Sequence, residues 1–265
     1  MKIIACIDIG TTKLKAVILG DGGLVMEKYT YTDPRAIYRQ IIATYRPDEV
    51  YVTGSGSRLL DGVEGYEVLN ELECTAYIVR YLGLEEGLVT NIGTGTSFTL
   101  MSEDGYKHLN GTGVGGGAFV GLGERMLGLT EPEAIESMAR GGDLGEVNII
   151  IDDIYPEGIS SLAGDVTVAN FGKAGGSNQD VALGIHSLIT ESIVSMVRAL
   201  LFHSPVRDII VCGGVTENQL VKELFAKYSA LFGFKTTYLE DPSYGTALGM
   251  LALVKEKYGD KDLQL

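Results

Sequence analysis

Positive charge is scarce in this chain: 21 lysines and arginines stand against 35 aspartates and glutamates, for a net charge of −14. Nucleic acid and anionic membrane surfaces are bound mainly through Lys and Arg, so neither is expected as a partner. An anionic ligand must instead be held by backbone N–H groups, a bound metal or a few placed cations. Cysteine is scarce too. Cys6, Cys74 and Cys212 share no metal-type spacing and make no even disulfide framework. Cys6 and Cys212 sit in strand-like runs and read as small buried hydrophobes. No uninterrupted apolar run reaches the ~18 residues of a membrane helix. The segment Met1 to Ile9 meets Asp8 too soon for a signal peptide, so a cytoplasmic protein is expected.

Glycine, by contrast, is abundant, with 36 in 265 residues. The glycines cluster at 93–95, 111–123 and 213–214, where backbone must turn sharply or approach a ligand. Two of these surroundings repeat. Residues 8–22 read DIGTTKLKAVILGDG and residues 91–105 read NIGTGTSFTLMSEDG, identical at five of fifteen positions. Each copy follows an apolar strand, makes an Ile-Gly-Thr turn, continues as a strand and closes on Asp-Gly. A tight Gly-Thr turn aims several N–H groups at one spot, which holds phosphate without a basic groove. Two such hairpins, one per lobe, would grip a triphosphate from both sides; the plain alternative is a pair of ordinary hairpins.

The apolar periodicity predicts strands at 2–9, 13–20 and 23–30, a helix at 34–46, a strand at 49–53 and a helix at 71–83. It then predicts strands at 87–92, 95–101 and 106–110, and helices at 116–127 and from Thr130, with Glu133 in the capping-box position. Residues 142–176 read as an irregular insertion. A long apolar helix at 178–203 reads as central or as a subunit interface. A strand through DIIVCGGV, a helix at 216–231, a strand at 235–239 and a helix at 243–257 complete the chain. The expected fold is α/β, with duplicated ribonuclease H-like (actin-like ATPase) domains, 1–86 and 87–265, and a nucleotide cleft between them.

Asp8 closes the first strand, where a carboxylate can reach the Mg²⁺ of a nucleotide through water; it can equally be an Asx-turn residue for Gly10 and Thr11. Lys15 is either a phosphate contact or a surface lysine. Gly111 to Gly117 runs straight into a helix, and its glycines Gly113, Gly115, Gly116 and Gly117, with Gly121 beyond, suit anion binding at a helix N-terminus. Gly213, Gly214 and Gly245 mark junctions of the kind that hold a nucleoside. Glu71 and Glu73 open a helix, either as a base for an attacking hydroxyl or as residues the helix dipole favours. His186 and His203 need no more than surface or dipole roles, whereas His108 precedes the glycine-rich loop.

Together IDIGTT, NELE at 70–73, NIGTGTS at 91–97, GTGVGGG with GLG at 111–123, DVTVANFGK at 165–173 and GTALG at 245–249 resemble the type II pantothenate kinases. That resemblance implies ATP and Mg²⁺ as cofactors and Glu71 as catalytic base. It implies phosphate and pantothenate contacts at Thr96, Ser97 and Gly113 to Gly117 and matches Lys15 to the family's first-hairpin lysine, while the turn residues Gly10, Thr11, Thr12, Gly93, Thr94 and Gly95 are the phosphate grips expected from the repeat. It also implies a homodimer in which Tyr228 reaches the partner's pantothenate pocket. Two positions depart from the family: His108 stands where it has an arginine, and Glu73 where it has an aspartate. Histidine lacks arginine's fixed fork of donors. Three readings follow: a pantothenate kinase, a kinase for another small alcohol or pantothenate-like amide, and an ATP-driven activator or switch.

Overall fold

The computed structural model describes residues 2–158 and 163–258. The first sheet takes β1 (Ile4–Ile9), β2 (Lys13–Gly20) and β3 (Gly23–Thr30); after α1 (Pro34–Tyr45) it adds β4 (Glu49–Thr53) and β5 (Glu67–Val68). Helices α2 (Glu71–Ala76) and α3 (Ile78–Tyr81) lead to β6 (Gly87–Ile92), β7 (Thr96–Ser102) and β8 (Gly105–Thr112). There follow α4 (Gly116–Leu127), α5 (Pro132–Ala139), β9 (Ile149–Ile150), α6 (Ile151–Ile154) and β10 (Thr167–Ala169). The chain finishes with α7 (Asn178–Leu200), β11 (Asp208–Cys212), α8 (Gln219–Leu231), β12 (Lys235–Tyr238) and α9 (Gly245–Tyr258).

The sheets run β3-β2-β1-β4-β5 and β12-β11-β6-β7-β8. Counted within each sheet, the two orders are the same, and in each the first strand pairs antiparallel with the second and parallel with the fourth. This is the duplicated ribonuclease H-like plan. β1 is buried along its whole length because both faces are covered. Ala5, Ile7 and Ile9 pack with Tyr38 and Ile41 of α1, while Ile4 and Cys6 pack with Leu248 and Leu251 of α9. In the second sheet Leu88 and Ile92 meet α4 and α7, and Val89 meets Ala76, Ile78 and Val79. A middle layer therefore lies between the sheets, with α9 on the first and α2 and α3 on the second. The final helix crosses back over a division drawn at residue 86.

Local signals set most element ends. Asp33 caps α1 before Pro34, and Ser177 and Asp180 form a capping box on α7. Elsewhere the structure departs from the expected bounds. α5 starts at Pro132 with Glu131 as N-cap, because proline's fixed φ suits the first helical position. The helix expected over 71–83 breaks at Tyr77. Asn218 caps α8 after a 3₁₀ turn at Gly214–Glu217. The described residues of the segment 142–176, which leave out 159–162, include the β9-β10 pair, and the Phe171 ring docks against Gly184 of α7. α7 is long and apolar enough to span a bilayer, yet 61% of that stretch is buried inside the fold. All three cysteines are free and buried.

The duplication extends to one glycine in each half. Gly54, after β4, has φ +94°, and a Cβ there would lie 2.4 Å from Ile9 O. Gly213, after β11, has φ +97°, and a Cβ would lie 2.4 Å from Ile92 O. Both positions exclude any side chain by conformation and by space. Gly54→Ala and Gly213→Ala are each expected to destabilise the protein by roughly 3 kcal/mol or more in denaturant unfolding. Gly113→Ala meets no heavy atom within 4 Å and should stay within about 0.5 kcal/mol of wild type.

Candidate active site

A cleft of about 940 Å³ opens between the two sheets, at the strand ends that carry the repeated turns. Asp8, Gly10, Thr11, Thr12, Lys15 and Glu71 line it from the first half of the chain. Gly93, Thr94, Gly95, Thr96, Ser97, Gly116, Gly117, Gly121, Gly213, Gly214 and Gly245 line it from the second. The repeat-equivalent threonines meet across it, Thr11 Oγ1 lying 3.0 Å from Thr94 Oγ1. Among the described residues no hydrogen bond uses the N–H of Thr11, Thr12, Thr94 or Gly95. Two sets of open N–H donors thus flank one contact point.

The two turns differ by one residue. Ile9 pairs with Leu14 across a four-residue loop, but Ile92 pairs with Thr96 across three. The strand register consequently matches Lys15, opposite Asp8, with Ser97, opposite Asn91. A gapless repeat would have matched Lys15 with Phe98. The same slip makes Gly23 and Gly105 equivalent, with φ +94° and +98°, so the Asp-Gly pairs of the two copies are out of step. Each half supplies different chemistry at one backbone position: a cation in the first, a hydroxyl in the second.

The cleft floor holds a small charge system. Lys15 Nζ donates to Asp8 Oδ2 at 3.1 Å, so Lys15 is neither a surface lysine nor an unengaged phosphate ligand. Burial raises the Asp8 pKa, and the charge and hydrogen bond of Lys15 pull it back only in part. Glu71 is the first residue of α2, whose N-terminus is satisfied by Asn70 Oδ1 accepting from the N–H groups of Leu72 and Glu73. That cap leaves the Glu71 carboxylate open to the cleft, with no hydrogen-bond partner among the described residues. Desolvation by the surrounding walls raises its pKa, the Asp8 charge raises it further, and Lys15 opposes both. A carboxylate tuned upward this way is a better proton acceptor near neutral pH.

No cluster of three or more His, Cys, Asp or Glu is gathered for a metal among the described residues. Asp8 and Glu71 nevertheless suit Mg²⁺, which keeps several waters and takes phosphate oxygens with one or two carboxylates.

At the start of α4, where an anion site is expected, two N–H groups are already engaged. The N–H groups of Gly116 and Gly117 donate to Gly93 O and Thr94 O, at 2.8 and 2.9 Å. They latch the second turn in place, and the glycines are required by this close approach. Gly115 packs on the backbone of Gly95 and does not line the cleft, nor does Gly113. His108 is exposed on edge strand β8, where a bulge shifts the register, and its ring lies beside Gly111. Tyr228 is directed inward: its hydroxyl and Ser187 Oγ are 2.7 Å apart, and burial pushes its pKa up to about 12. His186 is buried against Phe119, not at the surface. With Nδ1–H donating to Ala182 O at 2.8 Å, its Nε2 accepts from the Asn218 amide at 3.2 Å.

Several wall residues were missed in the sequence. Asn91 was findable as the repeat partner of Asp8, and Thr246 as the neighbour of Gly245. Lys28 and Glu217, which pair across the cleft at 2.6 Å, had no local signal because they lie 189 residues apart.

Fold and cleft together define an actin-like ATPase architecture with an open cleft between its halves. The Fumble family model matches residues 87–251, and the chain belongs to that family. A type II pantothenate kinase of Bacillus cereus (strain ATCC 10987 / NRS 248) is 27% identical over 268 residues, covering 95% of this chain and 97% of the relative. One from Staphylococcus epidermidis (strain ATCC 12228 / FDA PCI 1200) is 29% identical over 180 residues, 64% of this chain and 67% of the relative. In fold, component A of the (R)-2-hydroxyglutaryl-CoA dehydratase of Acidaminococcus fermentans superposes with a TM-score of 0.68 and 17% identity, covering 98% of this chain and 100% of that one. A ROK family glucokinase from Streptomyces griseus, in complex with glucose and AMPPNP, gives 0.66 and 13%, covering 96% of this chain and 99% of that one. A dehydratase component and a sugar kinase match about equally, so the fold alone does not select the reaction.

Glu71 generates a stability prediction. A carboxylate whose pKa is raised on folding contributes stability below its unfolded pKa and loses it as pH rises through the folded value. The penalty grows as pH rises above the unfolded value, so at pH 7 Glu71→Gln should raise the melting temperature by about 1–3 °C. That gain should vanish below about pH 4, where the wild-type side chain is also neutral. Melting curves at both pH values test it.

Proposed function

We propose that the chain is an ATP-dependent kinase that phosphorylates the primary hydroxyl of pantothenate, opening coenzyme A synthesis in the cytoplasm as a homodimer. The observation that carries the reading is Glu71: a partner-free carboxylate with a raised pKa, facing the paired phosphate turns. Relatives named type II pantothenate kinase over nearly the whole length support the choice of acceptor.

In this reading the open N–H groups of the two Gly-Thr turns hold the β- and γ-phosphates. Gly213, Gly214 and Gly245 give the nucleoside close access to the wall. Asp8 and Glu71 would hold Mg²⁺ through water, and the ion would neutralise phosphate charge. Lys15 orients Asp8 and opposes the upward pull of burial on its pKa. Thr96, Ser97, Gly111 and Thr112 face the acceptor. Glu71 takes the hydroxyl proton, the alcohol oxygen bonds to the γ-phosphorus, and the β–γ bridging bond breaks to leave ADP. The proton ends on Glu71 and then passes to water.

One observation favours a second acceptor, a pantothenate-like amide. His108 is short and lies outside the cleft lining, so it does not replace the family arginine at that end. The activator reading draws no support from the cysteines, which are all buried.

Acceptor-dependent ADP release with pantothenate, pantothenate amides and other small alcohols tests the proposal. Pantothenate should turn over, and Glu71→Gln should lower kcat about 10²–10⁴-fold. Turnover indifferent to every acceptor would sink the kinase reading. His108→Arg should lower KM for pantothenate while leaving KM for the amides unchanged; a lower KM for both would remove carboxylate recognition from that position.

A further inference from the structure

The middle layer contains a hydroxyl contact that the phosphoryl-transfer reading does not use. Thr75 Oγ1 and Thr246 Oγ1 lie 3.1 Å apart, with residue exposures of 1% and 5%. Thr75 is four residues after Glu71 and therefore on the same face of α2, one turn below it. Thr246 is the second residue of α9 and lines the cleft beside Gly245. Around this pair the helices cannot slide freely. A Cβ on Gly249 would fall 2.0 Å from Cys74 O and 2.8 Å from Ile78 N, so the two backbones touch. Farther along, Lys257 pairs with Glu73 at 2.8 Å and Tyr77 donates to Glu256 at 3.0 Å.

Each threonine hydroxyl has one hydrogen to donate, and their mutual contact uses one of the two. Among the described residues neither hydroxyl has another partner, so one hydrogen is left over. Of the two residues, Thr246 is the one that lines the cleft. When an oxygen-rich nucleotide occupies the cleft, Thr246 donates to it, and Thr75 must then donate to Thr246. We propose that the Thr75–Thr246 pair is a positioning device that couples nucleotide occupancy to the setting of α2 and hence of Glu71. The inference rests on the kinase reading of the cleft for its consequence, but not for its mechanism.

Two measurements test it. Amide hydrogen exchange over residues 71–81 is followed with and without a non-hydrolysable ATP analogue and Mg²⁺. Wild type should gain protection there, while Thr75→Val and Thr246→Val should bind the analogue and gain none. In acceptor-dependent turnover each valine variant should lose about tenfold in kcat, equivalent to ~1.4 kcal/mol, with acceptor KM unchanged. The double variant should lose no more than either single one, and Thr75→Ser and Thr246→Ser should recover wild-type behaviour. A gain of protection over 71–81 in both valine variants equal to that of wild type would overturn the coupling, as would additive losses or serine variants no better than valine. If no acceptor is phosphorylated by wild type the kinase reading falls, and the exchange experiment still decides the coupling because it requires only nucleotide binding.

Discussion

The close crossing of α2 and α9 is the contact on which the rest of the molecule depends. α9 is the last described helix, yet it covers the first sheet, through Ala247, Leu248 and Leu251 against Ile4 and Cys6. α2 and α3 come from the first half of the chain and cover the second sheet, through Ala76, Ile78 and Val79. Each half lends the other the helix that buries its inner face. Neither sheet can bury its central strand on both sides alone, so the two fold against one another and leave the cleft at their strand ends. Gly249 allows this, because only a residue without a Cβ lets one helix backbone rest on another so closely.

Phosphate chemistry in so acidic a chain follows from the same geometry. Three lysines line the cleft: Lys15 is engaged by Asp8, Lys28 by Glu217, and Lys13 is exposed. The open donors are main-chain N–H groups in two turns brought together at Thr11 and Thr94. Peptide dipoles held by a folded scaffold cost no side-chain ordering when a ligand arrives. The latch from α4 onto Gly93 and Thr94 serves this end, spending two helix N–H groups to hold the second turn rigid.

Much of this was legible in the sequence. The repeat at 8–22 and 91–105, the glycine clusters and the apolar runs of β1 and β6 report local backbone needs, and local backbone is what sequence pattern encodes. The less legible features share one cause. The one-residue slip between the turns depends on how each hairpin closes, and a repeat compared without gaps hides it. His108 was judged by its nearness in sequence to the glycine loop, but the bulge between β7 and β8 keeps it outside the cleft lining. The inward turn of Tyr228 toward Ser187 is set by how α8 lies on α7. The role of Glu73 was open until Lys257 appeared beside it.

By itself, the sequence determined the α/β class, the duplication, the strand-end position of the turns and the residue types available for phosphate and proton transfer. Those properties depend on periodicity, on glycine's conformational freedom and on charge count, all of which operate within a few residues. Only the tertiary structure decided that Lys15 is committed to Asp8, that Glu71 has a raised pKa and no hydrogen-bond partner among the described residues, and that the N–H groups of Gly116 and Gly117 are already spent. A carboxylate's chemistry depends on which charges and walls lie within several ångströms of it. In this protein those neighbours come from opposite halves of the chain.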